Sequence, residues 1–60
     1  MVKFYDPKDG VDQARVEAIL REAGIEYFLV PELQEGIGPC QIHVAEEDVP
    51  AAEELLRRWM

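Results

Sequence analysis

Glu22-Ala23-Gly24-Ile25 is the stretch of sequence that decides the fold, because it ends an amphipathic helix and opens the apolar run 25–30. A glycine at this place can adopt the left-handed conformation that closes a helix, and the following isoleucine can then fold back onto the last helical turn. Later in the chain, residues 40–44 alternate between apolar and polar side chains, which predicts a strand, and a second predicted helix follows them. The predicted order of elements is therefore β-α-β-β-α.

The chain is short and acidic, with 60 residues, a formal net charge of −7 and six Lys or Arg. Its length predicts one domain, 1–60, with a thin core, because a chain of this size buries only about 60% of its unfolded surface. Nucleic acids and anionic membrane surfaces attract cationic proteins. We therefore expect neither of them as a partner.

The residue types that are scarce or missing also limit the chemistry. The single cysteine, Cys40, leaves no intrachain disulfide and is typical of a reducing compartment. No apolar stretch approaches the roughly 20 residues of a membrane span, so we expect a cytoplasmic protein. The sequence has no Ser, Thr or Asn, which excludes a Ser or Thr nucleophile and the phosphate loop that ends in Lys-Ser/Thr. Low Asn with abundant Glu and Arg is also typical of a heat-adapted organism.

Each predicted helix carries one apolar stripe, which indicates that it packs through a single face. Asp9 is the predicted N-cap of the first helix and Asp48 that of the second. The stripes consist of Val16, Ile19, Leu20 and Ala23 in the first helix and of Val49, Ala52, Leu55, Leu56 and Trp59 in the second. Such helices, with right-handed crossovers, predict a two-layer fold in which both helices cover one face of a three-stranded antiparallel sheet.

Side chains alternate between the two faces of a strand, and this parity sorts the strand residues into two sets. The set predicted to face the helices is Val2, Phe4, Ile25, Tyr27, Leu29, Cys40, Ile42 and Val44. The set predicted for the opposite face is Lys3, Tyr5, Phe28, Val30, Gln41 and His43.

Cys40 and His43 are the only soft metal ligands in the sequence, and their spacing resembles half of a zinc site. In a strand, residues three apart point to opposite faces, and zinc requires three or four ligands. Because they point to opposite faces, Cys40 and His43 are also too far apart to act as a nucleophile and its general base. We therefore expect no catalytic residue, no metal and no cofactor. A small metal-binding protein or enzyme that uses Cys40 or His43 is the alternative.

The predicted helix-free face combines aromatic, apolar and polar side chains, a composition typical of contact surfaces. It predicts a site for a protein or small-molecule partner, flanked by the connection 31–39. Acidic residues in that connection favour a cationic or polar partner. The predicted site residues are Lys3, Tyr5, Phe28, Gln41, His43, Glu32 and Glu35. The alternative for this face is a half-wetted sheet surface. We also expect the chain to form a homodimer, because a thin core and an exposed edge strand favour self-association. Pairing of edge strands and packing of this face are both open as the dimer contact, and the second would compete with a partner.

Three segments of the chain resemble a family of small bacterial signal-transducing proteins that is related in fold to the PII-type nitrogen regulators. The first is the opening strand Val2-Lys3-Phe4-Tyr5 with the acidic turn after it. The second is the helix end 20–25, and the third is the closing pattern 42–48 that leads into 51–56. The resemblance covers residues 2–59.

The resemblance implies an α+β fold, a truncated ferredoxin-like two-layer sandwich with the strand order 1-3-2. It also implies a non-enzymatic regulatory or interaction module, with no catalytic residue to carry over. PII-type proteins bind their ligand through the loop between the second and third strands. The corresponding connection here, 31–39, is shorter and contains no Lys or Arg, so we do not expect it to bind nucleotides.

Overall fold

A computed structural model of the chain describes residues 1–31 and 40–59. The element order β-α-β-β-α predicted from the sequence is confirmed. The strands and helices are β1 (Val2–Tyr5), α1 (Gly10–Glu22), β2 (Tyr27–Pro31), β3 (Cys40–Val44) and α2 (Val49–Trp59), with a 3-10 turn (Glu46–Asp48) directly before α2.

The three strands form an antiparallel sheet in the order β1-β3-β2, as predicted. Both helices cover one face of this sheet, and the core lies between the two layers. Its fully buried members come from both helices and the central strand: Val16, Leu20, Ile42, Val44 and Ala52. The fold is therefore the predicted ferredoxin-like two-layer sandwich with three strands.

Helix α1 is fixed at both ends by local hydrogen bonds. The Asp9 side chain caps its start and accepts a 2.8 Å hydrogen bond from the Asp12 amide, as predicted for the N-cap. At its end Gly24 has a φ of 74°, and the Ile25 amide donates to the Leu20 carbonyl at 2.9 Å. This is the left-handed closure expected from the sequence, and it brings Ile25 against the core.

The start of α2 is more elaborate than a single cap at Asp48. A 3-10 turn, Glu46–Asp48, comes first, and its Asp48 amide donates to the Ala45 carbonyl at 2.9 Å. Helix α2 continues directly from this turn at Val49. Pro50 fits there because the first turn of a helix needs no amide donor.

Strand β1 contains a β-bulge that sequence parity did not predict. Val2 pairs with Val44 and Lys3 with His43, but the next pair joins Tyr5 to Ile42. Two residues of β1, Phe4 and Tyr5, therefore occupy the space of one, and both pack against the core. The prediction that Tyr5 lies on the helix-free face with Lys3 is wrong.

The apolar stripes of the two helices are only partly buried. Val16, Leu20 and Ala52 are buried, but Ala23 and Trp59 are exposed, and 67% of Trp59 is accessible. Both of these exposed residues lie at the C-terminal end of their helix. The helix layer therefore presents apolar surface outward as well as inward.

Candidate functional site

The sheet face opposite the helices carries five side chains, which together we call the open sheet face: Lys3, Phe28, Val30, Gln41 and His43. His43 on the central strand pairs with Lys3 on one side and with Phe28 on the other. One row across all three strands therefore holds a cation, an imidazole and an aromatic ring. Val30 and Gln41 form the neighbouring row.

The centre of the open sheet face is polar and hydrogen-bonded. His43 Nε2 and Gln41 Oε1 lie 3.0 Å apart, and both residues are half-buried. This hydrogen bond joins the two polar β3 side chains of the open sheet face. At the β1 margin, Lys3 Nζ forms an exposed ion pair with Asp6 Oδ2 at 3.1 Å.

The β2 side of the open sheet face is apolar and accessible. Phe28 is 57% exposed and Val30 is 37% exposed. Leu29 lies between them and points to the helix side, yet it is also 40% exposed because β2 is an edge strand. Adjacent large apolar side chains that are exposed to water on a small protein are typical of an interaction surface.

Tyr5 anchors β1 to α1 instead of contributing to this surface. Its hydroxyl donates to both oxygens of the Asp12 carboxylate, at 2.9 and 3.1 Å, and the Lys8 amide donates to the same group at 3.0 Å. The Lys8 amide and the Tyr5 hydroxyl lower the pKa of Asp12, although its burial acts in the opposite direction. Burial, and then the hydrogen bond to Asp12, raise the pKa of Tyr5.

Two other predicted site residues, Glu32 and Glu35, lie outside the described residues, as does the rest of the connection after Pro31. The structure brings Lys3, Phe28, Gln41 and His43 together on one face, as the sequence predicted.

The described residues do not assemble a metal centre. Cys40 pairs with Pro31 and follows the parity of Ile42, so its side chain lies on the helix side, opposite to His43. Cys40 is a half-buried free thiol. Within residues 1–31 and 40–59, no group of three or more His, Cys, Asp or Glu side chains is placed to hold a metal ion.

Comparison with known proteins assigns the chain to a protein family. A family model described as "Putative prokaryotic signal transducing protein" matches residues 1–60. The chain belongs to this family. Its resemblance to small bacterial signal-transducing proteins is confirmed, whereas the relation in fold to PII-type regulators is not. Neither the curated proteins nor the solved structures contained a match.

This family member has a second accessible surface, which the sequence analysis did not identify. A groove of about 420 Å³ lies between α1 and α2 on the outside of the helix layer. We call it the helix groove, and it is lined by Ala18, Ile19, Glu22, Ala23, Leu55, Arg58 and Trp59. Its sequence signal was the pair of stripe residues, Ala23 and Trp59, that the small core could not bury. In the described part of the family member, no helix has the length and apolar character needed to cross a membrane.

Proposed function

We propose that this chain is a non-enzymatic interaction module of prokaryotic signal transduction, acts in the cytoplasm, and binds a partner protein through its open sheet face. The observation that carries this proposal is the row formed by Lys3, His43 and Phe28 across three paired strands. The family description supports the signalling role. The face itself supports a binding role.

The architecture of the open sheet face is typical of a binding surface. The strands hold its side chains at fixed spacing, so a partner does not have to order the backbone on which they stand. Phe28 offers an exposed aromatic ring of the kind that anchors interfaces. The hydrogen-bonded pair of Gln41 and His43 adds a polar contact beside it. A partner with an apolar centre and hydrogen-bonding groups would complement both parts.

The charge of the chain favours a cationic partner. The net charge of −7 attracts cationic surfaces over long range and repels nucleic acids and anionic membranes. Glu32 and Glu35, which follow β2 in the sequence, are part of this proposal because they contribute to the negative charge of the chain. We therefore propose that the partner carries Lys or Arg around an apolar patch.

The experiment that tests this proposal uses a photo-reactive phenylalanine analogue in place of Phe28 in the source cells. An aromatic analogue preserves the ring, and 57% of this side chain is already accessible. The matched control carries the same analogue in place of Val11, which is 71% exposed on α1. We expect position 28 to cross-link one defined protein other than this chain, and position 11 to give no such product.

Two results would contradict the proposal. Cross-linking of position 28 to a second copy of this chain alone would show that the face serves assembly. Equal products from positions 28 and 11 would show that the captured proteins are random neighbours. Once a partner is identified, His43→Ala should weaken its binding. Tyr5→Phe should leave binding unchanged, because Tyr5 lies on the helix side.

A further inference from the structure

The helix groove combines an apolar floor with a projecting aromatic ring. Ala18 and Ala23 are small, so the surface between the helices is recessed, while Ile19 and Leu55 provide half-buried apolar walls. Trp59 stands at the margin with 67% of its surface in water. Trp is among the residues that most often dominate binding energy in protein interfaces.

Two opposite charges line the same groove on different helices, Glu22 on α1 and Arg58 on α2. Within the residues that the structure describes, the ion pairs are Lys3–Asp6 and Arg57–Glu54. Neither Glu22 nor Arg58 takes part in one of these pairs. The groove therefore presents one acid and one base without a charged partner among the described residues.

This arrangement is self-complementary. In a two-fold symmetric dimer both copies use the same surface patch, so each contact between the copies occurs twice. If residue A of the first copy contacts residue B of the second, then residue B of the first copy contacts residue A of the second. An acid and a base on the two walls of one groove can then form two equivalent ion pairs between copies. A projecting Trp beside a recessed floor can likewise enter the groove of the other copy.

We propose that a second copy of this chain docks in the helix groove, with Trp59 of each copy in the groove of the other and Glu22 of each copy opposite Arg58 of the other. The central contacts are apolar, and the two reciprocal ion pairs fix the orientation of the copies.

The size of the molecule is consistent with such a contact. A specific interface buries about 800 Å² on each partner, which is about a fifth of the 4211 Å² of accessible surface of this chain. The helix layer is one of the two broad sides of the sandwich. A dimer formed there leaves the open sheet face accessible, so the chain can pair with itself and bind a partner at the same time.

A small molecule is a poorer occupant of this groove than a second copy. Small-molecule sites usually enclose about 70–90% of the ligand surface. The helix groove is open along the outside of the helix layer, and much of its margin is the exposed Trp59. A large complementary surface covers such a margin more completely than a small ligand does.

Charge reversal of the full-length chain tests this dimer. The proposal predicts that Glu22→Arg weakens the dimer about tenfold or more, because two arginines then face each other in each pair. Net charge alone predicts the opposite result. The substitution changes the net charge of each chain from −7 to −5, which lowers the electrostatic repulsion between the two copies. Arg58→Glu should weaken the dimer as well. The double variant Glu22→Arg/Arg58→Glu should restore the parent association within a few-fold.

Sedimentation velocity over a concentration series measures the association of each variant. Trp59 is the only tryptophan, so its fluorescence is a second readout and should shift to shorter wavelength as the dimer forms. Arg15→Glu is the matched control for Arg58→Glu, because it makes the same charge change on an exposed α1 residue outside the groove. Trp59→Ala should sediment as a monomer, and its circular dichroism spectrum should show that it is folded.

Three outcomes would overturn the proposal. The first is a parent chain that stays monomeric at high micromolar concentration. The second is a dimer that Phe28→Ala dissociates and Trp59→Ala does not, which would place the second copy on the open sheet face. The third is a double charge reversal that stays as weak as the single ones. The first and third results leave cross-linking from position 28 to another protein unaffected, so with either of them the dimer proposal fails and the partner proposal stands. The second result bears on both proposals, and cross-linking from position 28 then decides whether the open sheet face also binds another protein.

Discussion

Replacing Tyr5 by Phe removes one hydroxyl from the anchor between β1 and α1 and leaves the ring in place. The lost hydrogen bond reaches the Asp12 carboxylate at 2.9 Å, and Asp12 is only 8% exposed. A hydrogen bond to a charged group contributes about 1.5–3 kcal/mol. Tyr5 is half-buried, so water replaces part of the contact, and we expect about 1.5–2 kcal/mol. At about 4–8 °C per kcal/mol, the Tm should fall by about 6–16 °C.

The pH dependence of this loss separates the hydrogen bond from ring packing. The Lys8 amide and the Tyr5 hydroxyl hold the pKa of Asp12 below its ordinary value of 3.8, against the effect of burial. A carboxyl whose pKa is lower in the folded protein than in the unfolded chain stabilises the fold at pH values above its pKa in the unfolded chain. This stabilisation is lost as the pH falls through its pKa in the folded protein. The parent and Tyr5→Phe should therefore differ most near pH 7 and converge below about pH 4.

The alkaline limb provides a second signature. The pKa of Tyr5 is raised above 10.0, first by burial and then by Asp12. A group whose pKa is higher in the folded protein than in the unfolded chain stabilises the fold at pH values below its pKa in the unfolded chain. This stabilisation is lost as the pH rises through its pKa in the folded protein. The parent should therefore lose stability above about pH 10 in a way that the phenylalanine variant does not.

Thermal unfolding followed by circular dichroism is the assay, and its pH range extends from about pH 3 to about pH 11 so that it includes the alkaline loss. Tyr27→Phe is the matched control, because it removes a hydroxyl that bonds Glu17 and Arg21 at 2.9 and 3.4 Å near the surface. It should lower the Tm less than Tyr5→Phe does. A Tyr5→Phe variant that melts within about 2 °C of the parent at pH 7 would show that the hydrogen bond contributes little to stability. A deficit in Tm that is the same at pH 3 as at pH 7 would show that the loss does not come from the Asp12 carboxylate.

The remaining predictions concern the core, the helix termini and metal binding. Leu20→Ala should cost about 2–5 kcal/mol in urea unfolding and more than Leu56→Ala, because Leu20 is fully buried and Leu56 half-buried; equal costs would contradict the assigned burial. Gly24→Ala should destabilise by about 1–2 kcal/mol, because φ is +74°. Gly10→Ala has open space and no positive φ, so it should be neutral or stabilising, and equal effects of the two would refute the left-handed closure. Native mass spectrometry should show the chain without zinc, because the cysteine thiol and His43 lie on opposite faces; stoichiometric zinc would contradict this.

The sequence predicted those parts of the fold that depend on local signals. The Asp9 cap, the Gly24 closure and the alternation of the central strand each act within a few residues, and all three have the predicted geometry. The alternation in β3 placed Gln41 and His43 correctly on the open sheet face, because a strand paired on both sides has little freedom to change its parity.

The misplaced site residue, Tyr5, depends on a contact that is distant in sequence. A regular strand would turn its hydroxyl away from the helices. The Asp12 carboxylate, on α1, is buried and needs donors, and the bulge in β1 brings the hydroxyl to it. The helix groove was missed for a related reason. Periodicity assigned Trp59 to the core, but a chain of 60 residues has too little interior for every stripe residue.

The bulge makes the two edges of the sheet unequal. Strand β1 breaks its regular pairing pattern after Lys3, whereas β2 keeps an unbroken register of five pairs with β3. An irregular, charged edge is a poor template for another strand, and a regular apolar edge is a good one. Endless stacking of copies would have to join the β1 edge of one copy to the β2 edge of the next. Addition of strands between copies is therefore limited to β2 against β2, and strand addition by itself ends at two chains.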